Sequence, residues 1–152
     1  MTDTQVTPWG VATAEELLAR GQQTLEKQSF SVLMGAQLVA LSPGHTELLI
    51  PLRPDFYQHH GFAHGGVVGY VADTALGFVG GAVLGPNAVS AEYKINFVQP
   101  ARGEKLIARS TVIAAGKRQA ICRCDVFAVD GANEYLCATA QGTIVKRGKD
   151  DL

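Results

Sequence analysis

The chain lacks a surplus of either charge: 13 lysines and arginines stand against 14 aspartates and glutamates, a net charge of −1. Binding nucleic-acid backbone needs an excess of cations, so no nucleic-acid partner is expected. Cysteine is sparse. There are three, and the C-x-C spacing of Cys122 and Cys124 matches no common zinc or redox motif. Those two fall on one face of an expected strand, and with Cys137 they read as small buried hydrophobes in a reducing cytoplasm. No G-x-S-x-G elbow, P-loop or dinucleotide fingerprint is present. No cationic run followed by an apolar stretch opens the chain, so a secretory signal is not expected. No internal repeat or low-complexity segment occurs.

What remains is ordinary in bulk and unusual in one place. The 152 residues suit one domain with a real core. Residues 1–12 read as a loose leader, 13–146 as the domain, and 147–152 as a polar tail. The unusual place is GGVVGYVADTALGFVGGAVL, Gly65 to Leu84, with a single charge at Asp73. Its length approaches the roughly 20 residues that span a bilayer. A charge near the middle and five further glycines argue for a buried helix in a soluble protein, with no membrane partner.

Around that run the elements follow from local signals. Thr13-Ala-Glu-Glu16 fits a capping box, and Leu17, Leu18 and Leu25 continue a helix to about Gln28. Ser31 to Leu41 reads as a strand, Ser42-Pro43-Gly44-His45 as a turn, and Thr46 to Pro51 as a second strand. Ala88 to Val98 alternates, with Val89, Ala91, Tyr93, Ile95 and Phe97 on one face and Ser90, Glu92, Lys94 and Asn96 on the other. Lys105 to Ala115, Gln119 to Val129 and Glu134 to Val145 complete the set, with turns at Gly116-Lys117-Arg118 and Asp130-Gly131. Hairpins dominate, so the sheet is expected to be antiparallel and the class α+β. A helix apolar nearly all round must be surrounded, and a curved sheet wrapped around it is the simple solution.

Asp73 is the sharpest chemical feature. A carboxylate in an apolar helix costs desolvation unless it is paired, and such a group suits nucleophile or general-base work. A structural carboxylate bonded to backbone or arginine is the alternative. His64-Gly65-Gly66 opens the same helix, where free N–H groups and the positive dipole end gather. Those donors could hold a developing oxyanion; a glycine-rich helix entry with a capping histidine is the bland reading. Gly65 and Asp73 lie eight residues apart, about 12 Å along a helix axis. One chain cannot bring both onto one carbonyl carbon. If both act, Asp73 comes from a neighbouring subunit across a two-fold interface.

His45 sits in the expected turn. His59 and His60 precede the long helix; His60 and His64 have ligand-like spacing, yet no helix spans Gly61 and no third ligand is evident, so no metal is expected. Lys117 and Arg118 form a basic turn that could meet phosphates or merely be solvated.

The residues at this point resemble a known family. AHGGVVGYVADTA at 63–75 and VSAEYKINFVQPARGEKL at 89–106, with the Asp-Gly turn and the closing ATAQGTIVK, are similar to hotdog-fold acyl-CoA thioesterases of the phenylacetic-acid-degradation branch. The resemblance runs from about Phe30 to Lys146. It implies a curved antiparallel sheet around a central helix and hydrolysis of an acyl-CoA without a cofactor. It implies the Gly65 N–H as the group that polarises the thioester carbonyl, with Gly66 beside it binding the substrate. Asp73 of the opposite subunit is implied as nucleophile or base. His64 and Ser90 would support them, and Lys117 and Arg118 would meet the coenzyme A nucleotide. Many relatives carry Asn six residues before the motif histidine; this chain has Gln58, and His59 or His60 could fill that role instead. A homodimer is expected from the split site, and a tetramer of two dimers from the resemblance. A non-catalytic acyl-CoA-binding protein on the same fold is the alternative, and a hotdog hydratase a third, although its pattern of histidine and acid is not found.

Overall fold

A computed structural model describes residues 7–11 and 13–148. Helix α1 (Ala14–Glu26) begins at the Thr13 capping box, in which Thr13 and Glu16 exchange hydrogen bonds of 3.1 Å. It buries Leu17, Gly21 and Leu25. A second short helix, α2 (Ser29–Met34), follows and stops at Gly35, whose φ of 68° is left-handed. This corrects the expected strand from Ser31, for only β1 (Gln37–Ser42) forms in that stretch. The β-branched and apolar side chains there mimic a strand, but the left-handed glycine halts one tight helical turn before the chain extends.

The sheet is antiparallel and six-stranded, in the order β1-β2-β4-β5-β6-β3. Its other members are β2 (His45–Pro51), β3 (Ala88–Phe97), β4 (Lys105–Ala115), β5 (Gln119–Asp130) and β6 (Asn133–Lys146). Helix α3 (Gly65–Leu84) is continuous and packs against all six strands. Val71, Ala72, Ala75, Leu76, Val79 and Ala82 on it are fully buried. The sheet thus wraps the apolar helix, which is the hotdog arrangement. Cys122, Cys124 and Cys137 are free thiols inside it.

The expectation of a loose leader fails for residues 7–11. Val11 is buried, and the Trp9 indole N–H donates to the Gly81 carbonyl at 2.7 Å. The rest of the expected leader, residues 1–6 and Ala12, and residues 149–152 of the expected tail lie outside the described residues.

Strand β3 departs from simple alternation. Its pairing with β6 slips between Ser90 and Glu92, leaving Ala91 as a bulge. Ser90 therefore sits opposite Ile144, which is buried against the helix, while Val89 sits opposite Val145. The sequence pattern places Ser90 on the outer face with Glu92; the extra residue turns it inward. Tyr93, Ile95 and Phe97 stay on the helix side, opposite Gly142, Ala140 and Ala138.

Candidate active site

The loop before α3 delivers its first turn. Phe56 accepts from the His64 N–H at 2.8 Å, and Ala63 donates to Ala101 at 2.8 Å, so the helix start is tied to the sheet from two sides. His64 is the N-cap: its Nδ1 accepts from the Gly66 N–H at 2.9 Å. An accepting Nδ1 carries no proton, which leaves any N–H on Nε2. Val67 and Val68 both donate to the His64 carbonyl. Among the described residues no acceptor meets the Gly65 N–H, so it is the one donor of this turn left available. A β-carbon on Gly65 would stand 3.3 Å from the Phe97 ring, so the glycine keeps this backbone open to close approach. An apolar cavity of about 290 Å³ adjoins it, lined by Phe62, Val68, Phe97, Val98 and Cys137.

Asp73 lies two turns further along. Its Oδ1 is buried and has no hydrogen-bond partner. It lines a second cavity of about 380 Å³, together with Thr74, Gly77, Ser90 and Trp9. A β-carbon at Gly77 would be 3.8 Å from the Ser90 hydroxyl, which places Ser90 over the helix one turn past Asp73. Tyr93 reaches the helix between Gly65 and Asp73, its hydroxyl 3.5 Å from the Gly69 carbonyl. Burial, then the negative charge of Asp73, raises the Tyr93 phenol above its ordinary pKa and keeps it protonated. An orphaned buried carboxylate oxygen in a cavity carries a desolvation cost that structure alone does not repay.

The other candidate residues divide. Gln58 sits in the loop, and its side-chain oxygen accepts from the His60 N–H, so the amide is engaged within its own turn. His59 and His60 are exposed, with ring centroids 3.9 Å apart. No three His, Cys, Asp or Glu side chains converge among the described residues. Lys117 and Arg118 are exposed at the β4–β5 turn. The register Gln119–Val145–Val89 puts that turn at the Ser90 end of the sheet, the same end as Asp73. His45 starts β2, exposed and remote from the helix start in the strand order.

Sequence reasoning missed Tyr93, Phe97 and Trp9 as neighbours of the site. The alternation of β3 carried the first two, but only as core. Nothing local marked Trp9, whose contact with Gly81 spans 72 positions.

Residues 60–135 match the family model described as thioesterase superfamily. A Deinococcus radiodurans protein named provisionally as an esterase is 30% identical over 125 residues, which cover 82% of this chain and 83% of that one. A thioesterase family protein of Silicibacter pomeroyi superposes with a TM-score of 0.81 at 28% identity, covering 87% of this chain and 99% of that one. The Escherichia coli PaaI protein from the phenylacetic acid degradation operon shares the fold, with a TM-score of 0.76 at 19% identity and coverage of 90% and 97%.

Proposed function

The chain belongs to the thioesterase superfamily, and from that premise we propose that it hydrolyses the thioester of an acyl- or aryl-coenzyme A to the free acid and coenzyme A. The single observation that carries this reading is the Asp73 Oδ1, buried and unpartnered at a cavity, on the helix whose first N–H is unclaimed.

Chemistry follows from those two groups. The Gly65 N–H holds the carbonyl oxygen as it gains charge. Asp73 either attacks the carbonyl carbon or takes a proton from the water that does. The C–S bond breaks and coenzyme A leaves as a thiolate that is then protonated. If Asp73 attacks, water hydrolyses the mixed anhydride and frees the carboxylate. Ser90 orients the water, and His64 fixes the first turn. Lys117 and Arg118 meet the nucleotide phosphates. Gln58 serves only if its loop releases the amide. No metal or redox cofactor has a role in these steps. A coenzyme A substrate and buried thiols fit the cytoplasm.

The two groups sit about 12 Å apart on one rigid helix, so they serve one carbonyl only across a dimer. The edge strand β3 suits this. Its residues leave apolar surface open, with Val89 40%, Tyr93 38% and Phe97 59% accessible. Such an edge invites a partner strand. Gly65 marks its Phe97 end and Asp73 its Ser90 end. Antiparallel pairing of two copies about the middle of β3, near Tyr93, sets each Gly65 against the other chain's Asp73.

A panel of acyl-CoAs, with released thiol followed by a chromogenic reagent, tests the assignment. Asp73→Ala is expected to lower kcat/KM by about a hundred- to ten-thousandfold with the melting curve retained. Activity within a few-fold of the parent sinks the role of Asp73. Tight binding without turnover in the parent would point to a binding protein instead.

A further inference from the structure

We propose that the apolar cleft beside Gly65 seats the acyl group of the thioester, and that its buried floor at Val68 and Cys137 limits that group to a compact one of about six to ten carbon atoms. The inference rests on the thioester-hydrolase reading above.

A thioester carbonyl held at the Gly65 N–H carries two unlike arms. The acyl arm is hydrocarbon. The pantetheine arm carries amides and a hydroxyl, which lose their water at a cost unless the protein pairs them. The two cavities along α3 differ in the same way. The cavity at Asp73 adds Thr24, Gln28, Thr74 and Ser90 to the carboxylate, so it offers polar groups along its length. The cleft at Gly65 is walled by Phe62, Val68 and Phe97, and only Gln99 and Cys137 in its lining carry polar side chains.

Both of those side chains are engaged elsewhere. Gln99 donates its amide N–H to the Leu136 carbonyl at 3.1 Å, and the Cys137 thiol donates to the Val126 carbonyl at 3.3 Å. The backbone around the cleft is engaged as well. The Val98 and Gln99 N–H groups donate to the Cys137 carbonyl at 2.8 and 3.2 Å, and the Ala63 N–H to the Ala101 carbonyl at 2.8 Å. The Pro100 carbonyl accepts from the Tyr135 hydroxyl at 2.9 Å. The Gly65 N–H meets no acceptor among the described residues and is the donor left at the edge. One donor beside apolar walls suits a carbonyl with hydrocarbon behind it. It leaves the pantetheine amides without partners, which excludes that arm from the cleft.

The cleft has an open rim and a closed floor. Gly65 and Phe97 at the rim are exposed, while Ala63, Val68, Ala101 and Cys137 are buried. A chain that starts at the Gly65 N–H therefore runs from the rim toward Val68 and the Cys137 sulfur. The volume is about 290 Å³. An apolar cavity of about 150 Å³ takes a benzene ring, so this one has room for roughly six to ten carbon atoms. Carbons beyond that number turn back through the rim to water and add nothing to binding.

The experiment measures kcat/KM for straight-chain acyl-CoAs from acetyl to palmitoyl in the parent, Cys137→Leu, Val68→Ala and Thr24→Leu. The parent values are expected to rise by about two- to fourfold per added carbon, to octanoyl or decanoyl, and then to stop rising. Cys137→Leu fills the floor. It lowers the octanoyl value by about tenfold or more and leaves the acetyl value within about threefold. Val68→Ala deepens the cleft and carries the rise on by about one or two carbons. Thr24→Leu narrows the Asp73 cavity and leaves the length profile as in the parent. Melting curves identify the folded variants, and should Cys137→Leu fail to fold, Val68→Ala, which only removes atoms, decides. A profile unmoved in every folded cleft variant overturns this inference alone, as does one moved by Thr24→Leu and not by the cleft variants. Absence of turnover for every substrate in the parent overturns the hydrolase reading and this inference with it.

Discussion

Helix α3 has two unlike sides. Toward β6 it is complete: the fully buried Leu76 lies against Gly142, and Ile144 fills the groove at Gly80. Toward β3 it is incomplete: Asp73 has an orphaned oxygen, Gly77 faces a cavity, and the neighbouring strand ends the sheet with its apolar side chains exposed. The same helix thus meets one side as a core element and lines a cavity on the other. Close packing accounts for the first and says nothing of the second, where open space and an unpartnered carboxylate oxygen are the features on which the proposed composite site rests.

The largest expected effect tests the incomplete side. Asp73→Ala and Gly65→Leu are each expected to be inactive, the latter because its side chain runs into the Phe97 ring. Unfolded together and refolded as a mixture, the two should recover about a quarter of parent activity, since half the dimers would be mixed and each would hold one intact site. No recovery from a mixture shown to contain mixed dimers would break the idea of a composite site.

On the complete side the effect is on stability. Gly80→Val drives a branched side chain into Ile144, and the expected loss is about 2–3 kcal/mol, read from the denaturant midpoint. A midpoint equal to the parent's would erase the distinction between the two sides. The sheet layer facing the helix supplies the smallest effect. Burial pushes the thiols of Cys122 and Cys137 up to about 11 and that of Cys124 up to about 12, from an ordinary value of 9.0. The folded form holds these protons more tightly than the unfolded chain. Their contribution is full below pH 9 and is lost as pH rises toward 11 and 12. Melting temperature followed from pH 8 to 11 should fall once pH 9 is passed, and Cys124→Ala should flatten that fall. The same burial keeps these thiols silent in a neutral thiol-release assay.

Much of this was legible beforehand. The Thr13 capping box, the 20-residue apolar helix and the Asp130-Gly131 turn are short-range signals, and each became the element it announced. The short helix at Ser29–Met34 was not legible, because Val32 and Leu33 suit either state and Gly35 decided the matter through a left-handed turn. Ser90 shows the limit most clearly. Alternation assigned it to the outer face, and a single unpaired residue at Ala91, visible only in the pairing with β6, returned it to the helix.

By itself the sequence determined the class of fold, the helix that must be enclosed, and the distance that prevents Gly65 and Asp73 from serving one carbonyl in one chain. These depend on residue spacing along regular elements, which carries through unchanged. Only the tertiary structure decided that Asp73 opens onto a cavity, that β3 lies at one edge of the sheet, and that Trp9 is bonded to Gly81. Those facts come from contacts between segments far apart in the chain, where the space left over depends on everything packed around it.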